Sequence, residues 1–132
     1  MPDYNATHFS PPAPTARVSL VHPNTGQALD DVSMLLDTGA DVTLVPAETL
    51  RTLGIEPLPE VYALEGFNGT PVTVASVYLC LRFLDRTFRG RFLVINQSSG
   101  ILGRNVLNHL ALLLDGPRRH WRESTSRSSG PG

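Results

Sequence analysis

Asp37 ends an apolar run, Met34, Leu35 and Leu36, and is followed at once by Thr38, Gly39 and Ala40. Burying an unpaired charge is costly, so a carboxylate that stops such a run either sits at a turn or is placed for chemistry. The chemistry open to it is acid–base work. Hydrolysing a peptide without a metal or a Ser or Cys nucleophile requires activating a water and protonating the leaving nitrogen. Two carboxylates about 3 Å apart, sharing one proton, can do both. Asp-Thr-Gly suits that task, because the strand carries the acid to the floor of a cleft and Gly39 lets the backbone turn closely beside it. The Gly39 N–H can then donate to the carboxylate, and the Thr38 hydroxyl supplies a further fixed hydrogen bond. Three letters are a short motif, and a plain strand-end turn is the competing reading.

Two further segments bear on the choice. In "GILGRN", residues 100–105, the branched apolar Ile101 and Leu102 precede Gly103, which opens a helix with Arg104 and Asn105. Between this segment and Asp37 lies a glycine-bearing hairpin with Glu65, Gly66, Phe67, Asn68, Gly69 and Thr70 at its tip.

The elements that must hold these residues are mostly strands. "RVSLVHPNTGQALDDVSMLLD" is predicted as a hairpin turning at its Pro, Asn and Gly. "DVTLV" is a short strand, and "PAETLRTLG" a helix opened by Pro46 and closed by Gly54, with Leu50 and Leu53 inward. In "EVYALEGFNGTPVTVASVYLCLRF" two β-rich arms flank the tip, with Val77, Leu79, Leu81 and Phe83 on one face and Val74, Tyr78 and Cys80 on the other. "FRGRFLVI" returns beside it, and a terminal hairpin turns at Asp115, Gly116 and Pro117. Many short strands and little helix predict an all-β barrel or sandwich. Residues 1–16 read as a Pro-rich flexible arm, 17–123 as the folded domain and 124–132 as a disordered tail.

A chain of 132 residues is sized for one domain with one modest core. A net charge of −1 argues against nucleic acid or an anionic membrane as partner. The single Cys80 excludes an internal disulfide, and the four His are scattered away from metal-ligand spacing, so neither a metal nor a cofactor is expected. Without a signal-peptide pattern or a spanning apolar run, a soluble cytoplasmic protein is expected. Cys80 reads as strand packing. Trp121 reads equally as ordinary packing or as an anchor of a dimer sheet, and Arg118, Arg119 and Arg122 as a solvated face. Phe67, more than Tyr62, is a candidate for lining substrate pockets.

"LLDTGAD", the hairpin and "ILGRN", in that order, resemble the retropepsin-like aspartic proteases, the family of retroviral and retrotransposon proteases, over about residues 18–112. "TLVPAETLRTLGI" and "LGRNVLNHLALLLDGPRR" are more similar to its cellular and bacterial single-domain members than to the shorter viral enzymes. The resemblance implies an all-β, single-domain, closed β-barrel with one or two short helices, working as a homodimer. It implies that Asp37 is the catalytic carboxylate, supported by Thr38, Gly39 and Ala40. Thr38 would lock to its mate across a two-fold axis, and Gly39 would bind substrate backbone. Residues 65–70 would form a flap over substrate, and Asp41 would pair with Arg104 as a structural clamp. Residues 101–105 would form the second loop of the site.

The chain has one Asp-Thr-Gly and no Asp-Ser-Gly. Asp85 and Asp115 fall in turns, and Asp30 and Asp31 precede a strand with no Gly following. A pair of carboxylates therefore needs a second copy of Asp37. The expected function is an aspartic endopeptidase acting on an extended peptide or protein, with the chain's own N-terminal arm as one candidate substrate. Ala40 offers no hydroxyl where some relatives carry Ser, so a mildly acidic optimum is expected. The alternative is a dimeric binding module that keeps the fold and cleaves little or nothing.

Overall fold

Apolar residues at every second position give the strands one buried face, and that face curls the sheet until it closes. The computed structural model describes residues 2–65 and 69–124. Its strands are β1 (Tyr4–Asn5), β2 (Ala13–Val21), β3 (Ala28–Leu36), β4 (Leu44–Pro46), β5 (Val61–Glu65), β6 (Pro71–Phe83), β7 (Arg86–Ile95), β8 (Gly100–Leu102), β9 (Leu112–Asp115) and β10 (His120–Glu123). Two short helices, α1 (Ala47–Leu53) and α2 (Arg104–Leu107), follow β4 and β8. The strand order is β1-β2-β3-β8-β4-β7-β6-β5, and a further β2–β6 pairing joins β6 back to β2. The six strands β2, β3, β8, β4, β7 and β6 thus form a closed barrel. The β5 strand extends it on one side, and β9–β10 stand as a separate hairpin.

The barrel is filled by Leu20, Met34, Val45, Val77, Leu79, Leu81 and Leu102, all inaccessible to solvent. Leu50 and Leu53 of α1 join this core. The helix ends as its sequence predicts: Gly54 takes φ +69°, its N–H reaches the Arg51 carbonyl, and the Ile55 N–H reaches the Leu50 carbonyl. This paired termination requires a left-handed residue, which Gly supplies without strain. Among the described residues no helix is long and apolar enough to cross a membrane.

Two features depart from the sequence reading, and a third decides between two alternatives it left open. Asp30 and Asp31 lie within β3 and not before it: Val18 pairs with Val32 and Leu20 with Leu29, so two β3 residues oppose Ser19 alone. Asp31 takes φ +60° at this bulge, and the Ser19 hydroxyl bonds the Asp30 carboxylate at 2.5 Å.

The second departure is the N-terminal arm. Residues 13–16, placed in a flexible segment by their Pro content, begin β2, and Ala16 is buried. The β1 strand pairs back on them, Tyr4 against Pro14. The third is Trp121, read equally as ordinary packing or as an anchor of a dimer sheet; it is 2 % exposed and packed inside its own chain. Its ring lies 5.8 Å from that of Phe83, its indole N–H donates to the Thr15 carbonyl, and its backbone N–H donates to the Pro2 carbonyl. A large aromatic body with a polar handle organises its neighbourhood in this way. It fastens β10 to the strands that Pro and small polar residues had disguised.

Candidate active site

Asp37 is placed by three strands. β3 and β8 run parallel, Leu36 beside Leu102, and both end at the same level. β8 lies between β3 and β4, so residues 37–43, which connect β3 to β4, must cross the end of β8. Two loops are therefore forced together there, one carrying Asp37, Thr38, Gly39 and Ala40, the other Gly103, Arg104 and Asn105.

Hydrogen bonds stitch the two loops. The Asp37 N–H donates to the Leu102 carbonyl at 3.1 Å, continuing the sheet to the last possible residue. The Ala40 N–H donates to the Asp37 carbonyl at 3.2 Å, and the Arg104 N–H to the Ala40 carbonyl at 2.8 Å. Within the turn the Gly39 N–H donates to Asp37 Oδ1 at 2.9 Å. That bond aims the carboxylate along the loop. A Cβ on Gly39 would stand 3.1 Å from the same oxygen, so Gly keeps the acid uncrowded. Asp37 is half-buried, between an apolar floor and solvent.

Gly103 is required for a different reason. It is buried, and a Cβ there would collide with the Val42 carbonyl and come within 2.9 Å of the Ala40 carbonyl oxygen. The two backbones cross at that point with no room for a side chain. Ile101 is half-buried and Leu102 fully buried beneath the crossing, and Asn105 is exposed at its rim.

Thr43, which the sequence reading treated only as a strand residue, proves central. It is inaccessible to solvent, and its hydroxyl accepts from the Gly103 N–H at 3.0 Å and donates to Asn105 Oδ1 at 2.7 Å. Its carbonyl accepts from the Leu93 N–H at 3.1 Å. Its side chain thus satisfies a buried donor in the second loop, and its backbone ties the first loop to β7. The only sequence signal was a hydroxyl amid the apolar residues of "DVTLV", which marks a buried polar group that needs partners.

Two expectations are corrected. Arg104 makes no ion pair with Asp41 among the described residues; its Nη1 donates to the Thr38 carbonyl at 2.6 Å. Both Arg104 and Asp41 are exposed, and in high dielectric a surface ion pair gains too little to displace a well-placed carbonyl acceptor. The Thr38 hydroxyl, expected in a fixed bond within the loop, is exposed and has no intrachain partner among the described residues. What is held at Thr38 is its carbonyl.

The glycine-bearing hairpin is formed by β5 and β6, in register from Val61 against Ala75 to Glu65 against Pro71. Gly69 takes φ +78°, and Glu65 and Thr70 are exposed beside the tip. Gly66, Phe67 and Asn68, also assigned to the tip, lie outside the described residues. Cys80 is buried in β6.

No curated protein matches the sequence. An EIAV protease in complex with the inhibitor HBY-793 is similar in structure, with a TM-score of 0.56 and 23 % identity over 80 % of this chain and 91 % of that one. Residues 24–106, which hold both loops and the hairpin, match the aspartyl protease family. With more than half of its length matched by that family and its barrel matching a retroviral protease, the chain belongs to the aspartyl proteases of retropepsin-like fold.

Proposed function

We propose that this chain is an aspartic endopeptidase that works as a symmetric homodimer, each copy contributing its Asp37 to one carboxylate pair. The observation that carries this reading is the Asp37 carboxylate: it is half-exposed at a strand end, aimed by the Gly39 N–H, and bonded to no second carboxyl group among the described residues. A two-fold axis through the loop would bring its mate to it. The exposed Thr38 hydroxyl, having no intrachain partner, is available to bond across that axis.

In such a pair one carboxylate is ionised and the other protonated. The ionised Asp37 takes a proton from a water held between the two, and the oxygen attacks the carbonyl carbon of the peptide. The protonated Asp37 gives its proton to the carbonyl oxygen, forming a tetrahedral diol. The first Asp37 then passes the proton it took from water to the amide nitrogen while the second, now ionised, takes a proton from a diol hydroxyl. The C–N bond breaks, a carboxylic acid and an amine leave, and the pair again holds one proton. The β5–β6 hairpin lies over the substrate, and residues 65–70 serve as its flap and exclude water. An extended peptide is recognised through backbone bonds, with alternate side chains entering apolar pockets beside the half-buried Ile101.

The test is cleavage of a mixed peptide library by the purified protein and by Asp37→Asn, from mildly acid to neutral pH. Cleavage that is lost in the variant and blocked by a transition-state inhibitor of acid proteases is expected. If the wild type cleaves nothing, the binding-module reading replaces this one.

A further inference from the structure

β6 is one strand in sequence and two in environment. Residues 76–83 pair with β7 and β2 and are largely buried, with Val77, Leu79 and Leu81 inaccessible. Residues 71–75 pair with β5 alone and are exposed or half-exposed. The change falls at Ser76, the first β6 residue to pair with β7, opposite Leu93. Ser76 is fully buried and doubly tied to the chain that enters β5: its hydroxyl donates to the Glu60 carbonyl and its carbonyl accepts from the Leu58 N–H, each at 2.8 Å. Beyond this point the hairpin arms project from the barrel with few restraints.

One side-chain bond spans the step. Arg91 Nη1 on β7 donates to the Tyr62 hydroxyl on β5 at 2.6 Å. Tyr62 pairs across from Val74 and Arg91 across from Tyr78, on the face of β6 that also carries Ser76. The bond therefore runs diagonally over Ser76, from the barrel wall to the projecting arm. It is short, as a charge-assisted bond should be. The guanidinium is held more firmly protonated than usual, first by this same phenol.

We propose that Ser76 is the hinge of the β5–β6 hairpin and that Arg91 and Tyr62 form a clasp across it, setting the angle of the hairpin arms over the cleft. Arg91 and Tyr62 are positioning residues: they touch neither Asp37 nor the loops around it. An unclasped hairpin samples more angles, and substrate binding must then select the working one, which weakens apparent affinity without altering the chemical step. The consequence for substrate rests on the endopeptidase reading; the clasp itself does not.

The experiment has two readouts on the full-length protein. Hydrogen exchange of the amides in residues 61–65 and 71–75 is measured in Tyr62→Phe, Arg91→Gln, the double variant and Arg91→Lys. Each of the first two is expected to speed exchange there by about three- to tenfold, the range one exposed charge-assisted bond supports, with residues 77–83 unchanged. The double variant is expected to match the single ones, because both remove one shared contact, and Arg91→Lys to restore part of the protection. On a cleaved peptide the same variants are expected to raise KM by a similar factor with kcat changed less than about twofold. Unchanged exchange in the arms, or equal acceleration throughout the barrel, would overturn the clasp whether or not any peptide is cleaved. A wild type that cleaves nothing while the exchange pattern holds would overturn the endopeptidase reading and leave the clasp standing.

Discussion

Thr43→Val tests the stitching of the two loops. Val has nearly the shape of Thr, so the substitution removes the hydroxyl and little else. The Gly103 N–H, buried and pointing at Thr43 Oγ1, then has no acceptor, a loss of about 1–3 kcal/mol. The bond to Asn105 Oδ1 also goes, but Asn105 is exposed and water replaces it, leaving a net loss of about 1 kcal/mol. Together the change is about 2–4 kcal/mol. A domain of this size typically holds about 5–15 kcal/mol, so the variant should still fold. At about 3–5 °C per kcal/mol the melting temperature should fall by roughly 6–20 °C. Trp121, the one Trp of the chain, is buried against Phe83 and reports unfolding directly by its emission. Thr43→Ser is the control: it keeps the hydroxyl and loses one methyl group, about 1 kcal/mol. Both variants are compared with wild type at equal concentration, because a dimer's stability depends on it. If Thr43→Val is no less stable than Thr43→Ser, the hydroxyl does not hold the loops and the reasoning fails.

Other substitutions probe other parts of the architecture. Gly103→Ala drives a methyl group into the Val42 and Ala40 carbonyls, which are backbone and cannot swing aside; a loss above about 3 kcal/mol, or no soluble protein, is expected in urea titrations. Asp41→Asn should change the unfolding free energy from urea titration by less than about 0.5 kcal/mol, because Arg104 bonds the Thr38 carbonyl and not Asp41. Trp121→Ala removes the Phe83 contact and the bond to the Thr15 carbonyl, and should cost about 3–5 kcal/mol, read by circular dichroism since the fluorophore is gone.

The readable parts of the sequence were those governed by neighbours along the chain. The α1 helix, with Leu50 and Leu53 inward and Gly54 closing it, follows from local spacing and one left-handed residue. The β5–β6 and β9–β10 hairpins follow from Gly and Pro at their turns. The Asp37 turn was legible because a charge seldom ends an apolar run without cause. What escaped depends on residues far apart in sequence. Thr43 matters because β8 inserts between β3 and β4, bringing Gly103 and Asn105 to it. Arg104 chose a carbonyl over Asp41 for reasons of reach and solvent that spacing alone does not encode. Residues 13–16 became strand because Trp121 and β1 lie beside them, a contact that outweighs the local signal of their Pro content. The hinge at Ser76 is invisible in a continuous β-rich run, since it is defined only by where β7 begins to pair.

The shared carboxylate pair is tested most directly by mixing wild type with Asp37→Asn at constant total concentration, allowing subunits to exchange, and measuring peptide cleavage. If each active unit needs Asp37 from two copies, activity follows the square of the wild-type fraction, falling to about a quarter in an equal mixture. A linear fall to about half would mean that one chain suffices, and would contradict the paired site.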